Sequence, residues 1–259
     1  MNPESSDTIP PISSPFTTTH WSLIIKAGGA CGTAADNALE ELCRAYWPPL
    51  YAFIRRIGNN ATDAQDLTQS FFEHLLSERR FSLADPSRGR FRSFLLTSLK
   101  HFLVNDWRKA NRMKRGSGAL HLSFNCDPEE AMYVREPATN ETPETIYDRR
   151  WARRLLEHAL ESVGQDYHRA GQGLLFEEIR QLVWGAGSEH GYAVIGPKLG
   201  LSEGAFKVAV HRLRLRFRQR VRDAVAATLP DPENVEEVDE ELEYLQKVLR
   251  EGGASQDVA

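Results

Sequence analysis

The chain has 259 residues, 41% of them hydrophobic and 26% charged, with a formal net charge of -4; this is the make-up of a globular protein with one or two cores. Three widely spaced cysteines, Cys31, Cys43 and Cys126, argue against a disulfide framework or a zinc site and fit a reducing cytoplasm. No run of roughly 18 apolar residues exists, so membrane insertion is not expected.

The start, MNPESSDTIPPISSP, is polar and proline-rich and lacks the pattern of a signal peptide; residues 1–18 read as a disordered tail. A first helix is expected from about Trp21 to the glycines at 28 and 29, and a second from about Asp36 through Tyr46. Pro48-Pro49 should break or kink the path before Leu50–Ile57, because proline lacks the N–H and crowds the preceding turn. Asn59-Asn60 make the next turn. Thr62 is an N-cap candidate for Asp63–Ser77, with Gln65 in the capping-box position. On that helix Asp63, Asp66 and Gln69 fall near one face and Leu67, Phe71 and Leu75 on another.

A loop holding Asp85-Pro86 and Gly89 leads into a long helix over about Phe91–Arg112. Leu95, Leu99, Phe102 and Leu103 are its core candidates. Lys100, Val104, Trp107 and Arg108 share another face. Cations alone serve a duplex backbone, whereas an aromatic ring among them adds stacking worth about 1–3 kcal/mol per unpaired base. The alternative is a Trp107 half-buried against a neighbouring helix.

Residues 116–144 are acidic, proline-bearing and without sustained periodicity, which marks a linker. Helices follow at about 145–163, 172–184, 191–199 and 203–227, and Pro230 and Pro232 stop the last. An amphipathic helix over 235–250 carries Val238, Leu242, Leu245 and Leu249. No alternating run of strand length stands out, so the expected fold is all-α: two small helical domains joined by a flexible linker.

The net charge averages over segregated blocks. Residues 79–115 hold eleven Lys/Arg against Asp85 and Asp106, and residues 198–222 hold eight against Glu203. Residues 231–251 reverse the sign, with nine acids against Lys247 and Arg250.

The segment YAVIGPKLGLSEGAFKVAVHRLRLRFRQR, 192–220, has the form of a helix-turn-helix, with Gly200 in the turn and Ser202 capping the second helix. Phe206, Val210, Leu213, Phe217 and Val221 form one apolar stripe. Lys207, His211, Arg214, Arg218 and Arg222 form a basic stripe one residue later. The first turns of such a helix meet base edges, which nominates Ser202, Glu203, Lys207, Val208 and His211. Lys198, Arg212, Arg214 and Arg216 are phosphate or groove-edge candidates. A merely solvated arginine-rich helix is the competing reading.

This segment resembles the minus-35-reading helix-turn-helix of bacterial sigma factors, in particular the extracytoplasmic-function (ECF) type of the sigma-70 family. LCRAYWPPLYAFIRRIGNNATDAQDLTQSFFEHLL resembles the start of sigma domain 2, and GRFRSFLLTSLKHFLVNDWRKANRMKRG resembles its promoter-melting part. The resemblance covers roughly residues 36–116 and 145–227. It implies a domain 2 over 19–115, an acidic linker over 116–144, a domain 4 over 145–229 and an acidic C-terminal extension over 230–259. It further implies that Asp63, Asp66, Gln69 and Glu73 dock on the clamp helices of the largest subunit of core RNA polymerase. Lys100, Asn105, Trp107, Arg108, Lys109 and Arg112 would meet the melted minus-ten strand. The partners implied are core polymerase and promoter DNA, duplex and melted, with room for an anti-sigma or other regulator. A sigma factor is not an enzyme and needs no cofactor, and no catalytic triad, P-loop or metal cluster is apparent. The linker is either solvated or a nucleic-acid mimic in the polymerase channel. The C-terminal extension is either a helix packed on domain 4 or an inhibitory element covering the basic helix. A stand-alone helix-turn-helix regulator of duplex DNA is the alternative function.

Overall fold

The computed structural model describes residues 33–77, 89–112, 141–184 and 195–253. The expected first helix near Trp21, the linker through residue 140 and the start of the 191–199 helix lie outside these residues. Among the described residues there are helices and turns and no strand. In chain order the main helices are α1 (Thr33–Arg56), α2 (Ala61–Ser77), α3 (Phe91–Arg112), α4 (Pro143–Arg169), α5 (Gly173–Ile179) with a 3-10 turn over Arg180–Trp184, α6 (Glu203–Ala226) and α7 (Val235–Gly253).

Several boundaries differ from expectation: α4 runs on to Arg169 where an end near residue 163 was expected, and the stretch expected as one helix over 172–184 is α5 followed by a 3-10 turn. Helix α1 continues through Pro48 and Pro49 without a break. An interior proline costs about 3 kcal/mol. Here Tyr46, Trp47, Leu50, Tyr51, Phe53 and Ile54 are all buried around the pair, each such side chain contributing about 1.5–3 kcal/mol, so burial outweighs the lost backbone bonds. Helix α2 is capped by Asn60 rather than Thr62: the Asp63 amide donates to Asn60 Oδ1 at 2.8 Å, and Asn60 Nδ2 donates back to Asp63 Oδ2 at 2.8 Å. On this helix Ala64 and Phe71 face inward and are fully buried.

Helix α4 starts at a well-made cap, with Thr142 Oγ1 accepting from the Thr145 amide at 3.2 Å and Pro143 in the first turn. Its first half, through Tyr147, Trp151, Ala152 and Leu155, belongs to the core built on α1, α2 and α3. Its second half, through Val163 and Tyr167, belongs to a second core with Phe176, Ile179, Leu182, Phe206, Val210 and Leu213. Helix α6 runs the other way between the same cores: Phe206, Val210 and Leu213 lie in the second, Ala224 and Val225 in the first. The amphipathic C-terminal helix forms as expected, with Val238, Leu245 and Val248 buried.

His158 sits on α4 between the two cores. Burial, aided by the nearby Arg154 charge, pushes its pKa down from 6.5 to about 4. A histidine with a depressed folded pKa adds stability that is complete above its unfolded pKa and is lost as pH falls toward the folded one. The melting temperature should therefore fall between pH 6.5 and about 4, and His158→Gln should flatten that part of the curve. Parallel melting profiles for the two proteins across this window would contradict a neutral, desolvated imidazole.

Candidate nucleic-acid interface

The helix-turn-helix turn is fixed by backbone geometry. Residues 195–198 are helical and close with two bonds, Gly200 N–H to Pro197 O at 3.1 Å and Leu201 N–H to Gly196 O at 3.0 Å. This is a Schellman end, and it needs a left-handed residue at Gly200, whose φ is +67°. A side chain there would cost about 1–2 kcal/mol. Gly196 sits in a close approach: a Cβ would lie 3.2 Å from the Leu201 carbonyl oxygen, a tight contact. Ser202 then caps α6, its Oγ accepting from the Ala205 amide at 3.3 Å.

The apolar stripe of α6 is buried at Phe206, Val210, Leu213 and Phe217. The basic stripe beside it is not uniform. Lys198, Ser202, Glu203, Lys207, Val208, His211, Arg212 and Arg216 are exposed, and Lys207 Nζ lies 2.7 Å from Glu203 Oε1. Arg214 turns inward instead. Its Nε and Nη2 donate to the Leu182 carbonyl at 3.0 and 2.8 Å, so it anchors the 3-10 turn on α6. That contact corrects the expectation of Arg214 as a phosphate ligand: its fork is already spent on a backbone oxygen. Arg216 lies over the Tyr167 ring at 5.1 Å, and Arg220 donates to Asp166 at 2.6 Å. Further along, Arg222 pairs with Asp239 of α7 at 2.5 Å, an exposed contact that holds the Asp239 carboxyl below its usual range. The cations at the N-terminal end of α6 thus face outward, while those at its C-terminal end hold the fold together.

Helix α3 shows a related division. Leu95 and Leu99 are buried, and Phe102 lies 5.7 Å from Phe71. On the outer face Trp107 is 67% exposed and Val104 48%. Asn105 and Arg108 are exposed beside them, and Lys109 and Arg112 continue the same helix with side chains outside the described residues. An indole left in water on a helix flanked by cations forgoes burial worth about 1.5–3 kcal/mol and keeps its ring face open. Trp107 is therefore not half-buried against a neighbouring helix. Lys100, one turn before Val104, is paired with Glu144 at the start of α4 at 2.7 Å, and the ammonium holds that carboxyl below its usual range.

On α2, Asp63 and Asp66 are exposed and Gln69 and Glu73 partly so, with Gln69 Nε2 donating to Glu73 Oε1 at 3.0 Å. These four share the outward face, while Ala64, Thr68, Phe71 and Leu75 face the core. Asp63 is in part committed to the Asn60 cap.

One functional-looking cluster escaped sequence reading. Glu241 of α7 is fully buried against two arginines, Arg90 just before α3 and Arg92 in its first turn: Arg90 Nη1 lies 2.7 Å from its Oε2, and Arg92 Nη1 bonds its Oε1. Arg92 also reaches Asp148 at 3.1 Å and lies over the rings of Trp151 and Tyr244 at 5.0 and 5.3 Å. The signal was present, since Glu241 falls within the Val238–Leu242–Leu245 stripe, where a lone solvated acid would not belong.

With this geometry in place, comparison with known proteins adds two findings. Residues 42–113, which span most of α1 and all of α2 and α3, match the family model for sigma-70 region 2. The chain is 26% identical over 198 residues to the ECF RNA polymerase sigma factor SigE of Mycolicibacterium smegmatis. That match covers 74% of this chain and 63% of the relative, so less than two thirds of the relative's length is represented. No solved structure matches the chain significantly.

The different surroundings of Arg212 and Arg214 separate binding from stability. Arg212→Ala should weaken duplex binding about equally across sequences and reduce the slope of log affinity against log salt by about one. Arg214→Ala should instead lower stability by about 1.5–3 kcal/mol, the worth of a charged hydrogen bond. Salt titrations and denaturant melts of both variants check the assignment; an unchanged melt for the Arg214 variant would overturn its structural role.

Proposed function

We propose that the chain is a sigma factor of the sigma-70 family, ECF type, which binds core RNA polymerase and directs promoter recognition, strand opening and transcription initiation; the match to sigma-70 region 2 and the likeness to an ECF sigma factor support this reading. The single observation that carries the finer reading is Trp107, two-thirds exposed on a helix whose neighbours are cationic and polar. A duplex-only reader needs cations; a surface that captures unpaired bases also needs a ring.

Each part of the surface then takes a role. The outward face of α2, with Asp66, Gln69 and Glu73, docks on the clamp helices of the polymerase's largest subunit. Asn105, Trp107 and Arg108, continued by Lys109 and Arg112, hold the melted minus-ten strand. The exposed N-terminal half of α6 enters the minus-35 major groove. There Ser202, Glu203, Lys207, Val208 and His211 approach bases, and Lys198 and Arg212 approach phosphates. The polymerase supplies the phosphoryl chemistry and this chain supplies the address. The site of action is the cytoplasm, and no helix among the described residues is long and apolar enough to cross a membrane. A stand-alone duplex regulator would use only the α6 surface and leaves the exposed α2 face and Trp107 without a purpose.

Purified protein should associate with core polymerase and support run-off transcription from a library of promoter fragments. Trp107→Ala should leave core association intact and cut open-complex yield about 5-fold to 150-fold, the equivalent of about 1–3 kcal/mol of stacking. Asp66→Ala should do the reverse, weakening core association with duplex binding unchanged. Full open-complex yield from the Trp107 variant would remove the strand-capture role.

A further inference from the structure

Among the side chains nominated to approach bases, one cannot make a hydrogen bond. At about 100° per residue, Val208 lies about 140–160° around α6 from the buried Phe206, Val210 and Leu213. It therefore stands on the outermost line of the helix, and it is 48% exposed. Gly204, one turn earlier and also exposed, shares that line at about 120–180° from the same three residues. Groups that donate and accept flank the line rather than occupy it. Lys207 Nζ is held 2.7 Å from Glu203 Oε1 on one side. His211 and Arg212 follow one turn after Val208, three and four residues on, and both are exposed.

An isolated exposed valine is ordinary. What distinguishes Val208 is the bare turn in front of it. Glycine is a poor helix former, and a Cβ added at Gly204 would meet nothing within 4 Å. Packing within the chain therefore gives no reason for a glycine there. Helical side chains lean toward the N-terminus, so the Val208 methyl groups sit over the Gly204 turn. A side chain at 204 would stand beside them, one turn away on the same face, and screen them. The result is a shallow apolar notch at the most forward point of the helix, bordered by cations. Valine is also stiff at χ1, so seating it against a ligand costs little rotamer freedom.

What fits the notch is set by the chemistry of a duplex. Of the base edges in the major groove, thymine alone carries an apolar group, its C5-methyl; the others present donors and acceptors that a valine cannot satisfy. The bordering cations match the phosphates along the groove. We propose that Val208, over the bare Gly204 turn, reads the C5-methyl of one thymine in the minus-35 element. This contact deepens the promoter-reading function proposed above and rests on it. At that step the chain separates thymine from the other bases by an apolar contact, while Lys207 and His211 meet hydrogen-bonding edges beside it.

The test uses the full chain assembled with core RNA polymerase. Duplexes are selected from a random library, and each thymine of the enriched upstream element is replaced in turn by deoxyuridine, which removes only the methyl group. At one position the replacement should weaken binding about fourfold, the worth of one buried methyl group. Val208→Ala should bind thymine and deoxyuridine equally at that position and keep any discrimination elsewhere. Gly204→Ala should raise the melting temperature, since alanine is the better helix former, yet lower affinity and shrink the same discrimination. The contact is overturned if no deoxyuridine weakens binding, or if Val208→Ala retains the full thymine preference. Failure to enrich any upstream element would overturn the promoter-reading function, and the contact with it; an enriched element indifferent to the methyl group overturns the contact alone.

Discussion

Helix α4 is a member of two cores, and the arrangement of everything else follows from that. Its Tyr147–Leu155 half is packed with α1 and its Val163–Tyr167 half supports the helix-turn-helix. A continuous helix transmits position rigidly, so the tilt of the helix-turn-helix is set by how Tyr147 and Trp151 seat against α1. Tyr147 also donates from its hydroxyl to the Arg92 carbonyl at 3.1 Å, which ties the start of α3 to the same place. Arg56 adds a peripheral tie, donating to the Glu141 carbonyl just before α4 begins.

Charge is used in two ways in this molecule, and the difference is geometric. Cations near the free ends of α3 and α6, such as Arg108 and Arg212, point to water and keep their full hydration until a ligand replaces it. Cations near the packed ends are satisfied inside the protein. Arg92 lies on Glu241, Asp148 and two rings, and Arg220 on Asp166. Removing one partner from a buried cluster of this kind costs about 3–5 kcal/mol, since the remaining charge has no water to return to. The basic blocks of the sequence are therefore part exposed surface and part internal structure. Counting arginines overstates the cationic surface that faces solvent.

The helices were largely legible because their signals are local. Ser202 and Gly200 bracket the turn, apolar spacing of three and four residues marks the buried stripes, and Pro230 and Pro232 end α6. The errors fell where long-range burial, or a second side-chain partner, competes with local rules. Pro48-Pro49 was expected to interrupt α1, but a fully aromatic and aliphatic neighbourhood carries the helix through it. Asn60 displaced Thr62 as the cap because its amide side chain both accepts from the Asp63 amide and donates to the Asp63 carboxylate.

The sequence by itself determined the helical class, the positions of most turns, the family resemblance and the segregation of charge into blocks. Each of these depends on residues within a few turns of one another. Only the tertiary structure decided which arginines remain available and which are consumed, that Trp107 stands in solvent, and that an acidic helix closes on the far side of the molecule. Glu241 and Arg92 are 149 residues apart, and no local periodicity links them. What pairs them is the desolvation of both when α3, α4 and α7 meet, a cost that each charge can offset only with the other.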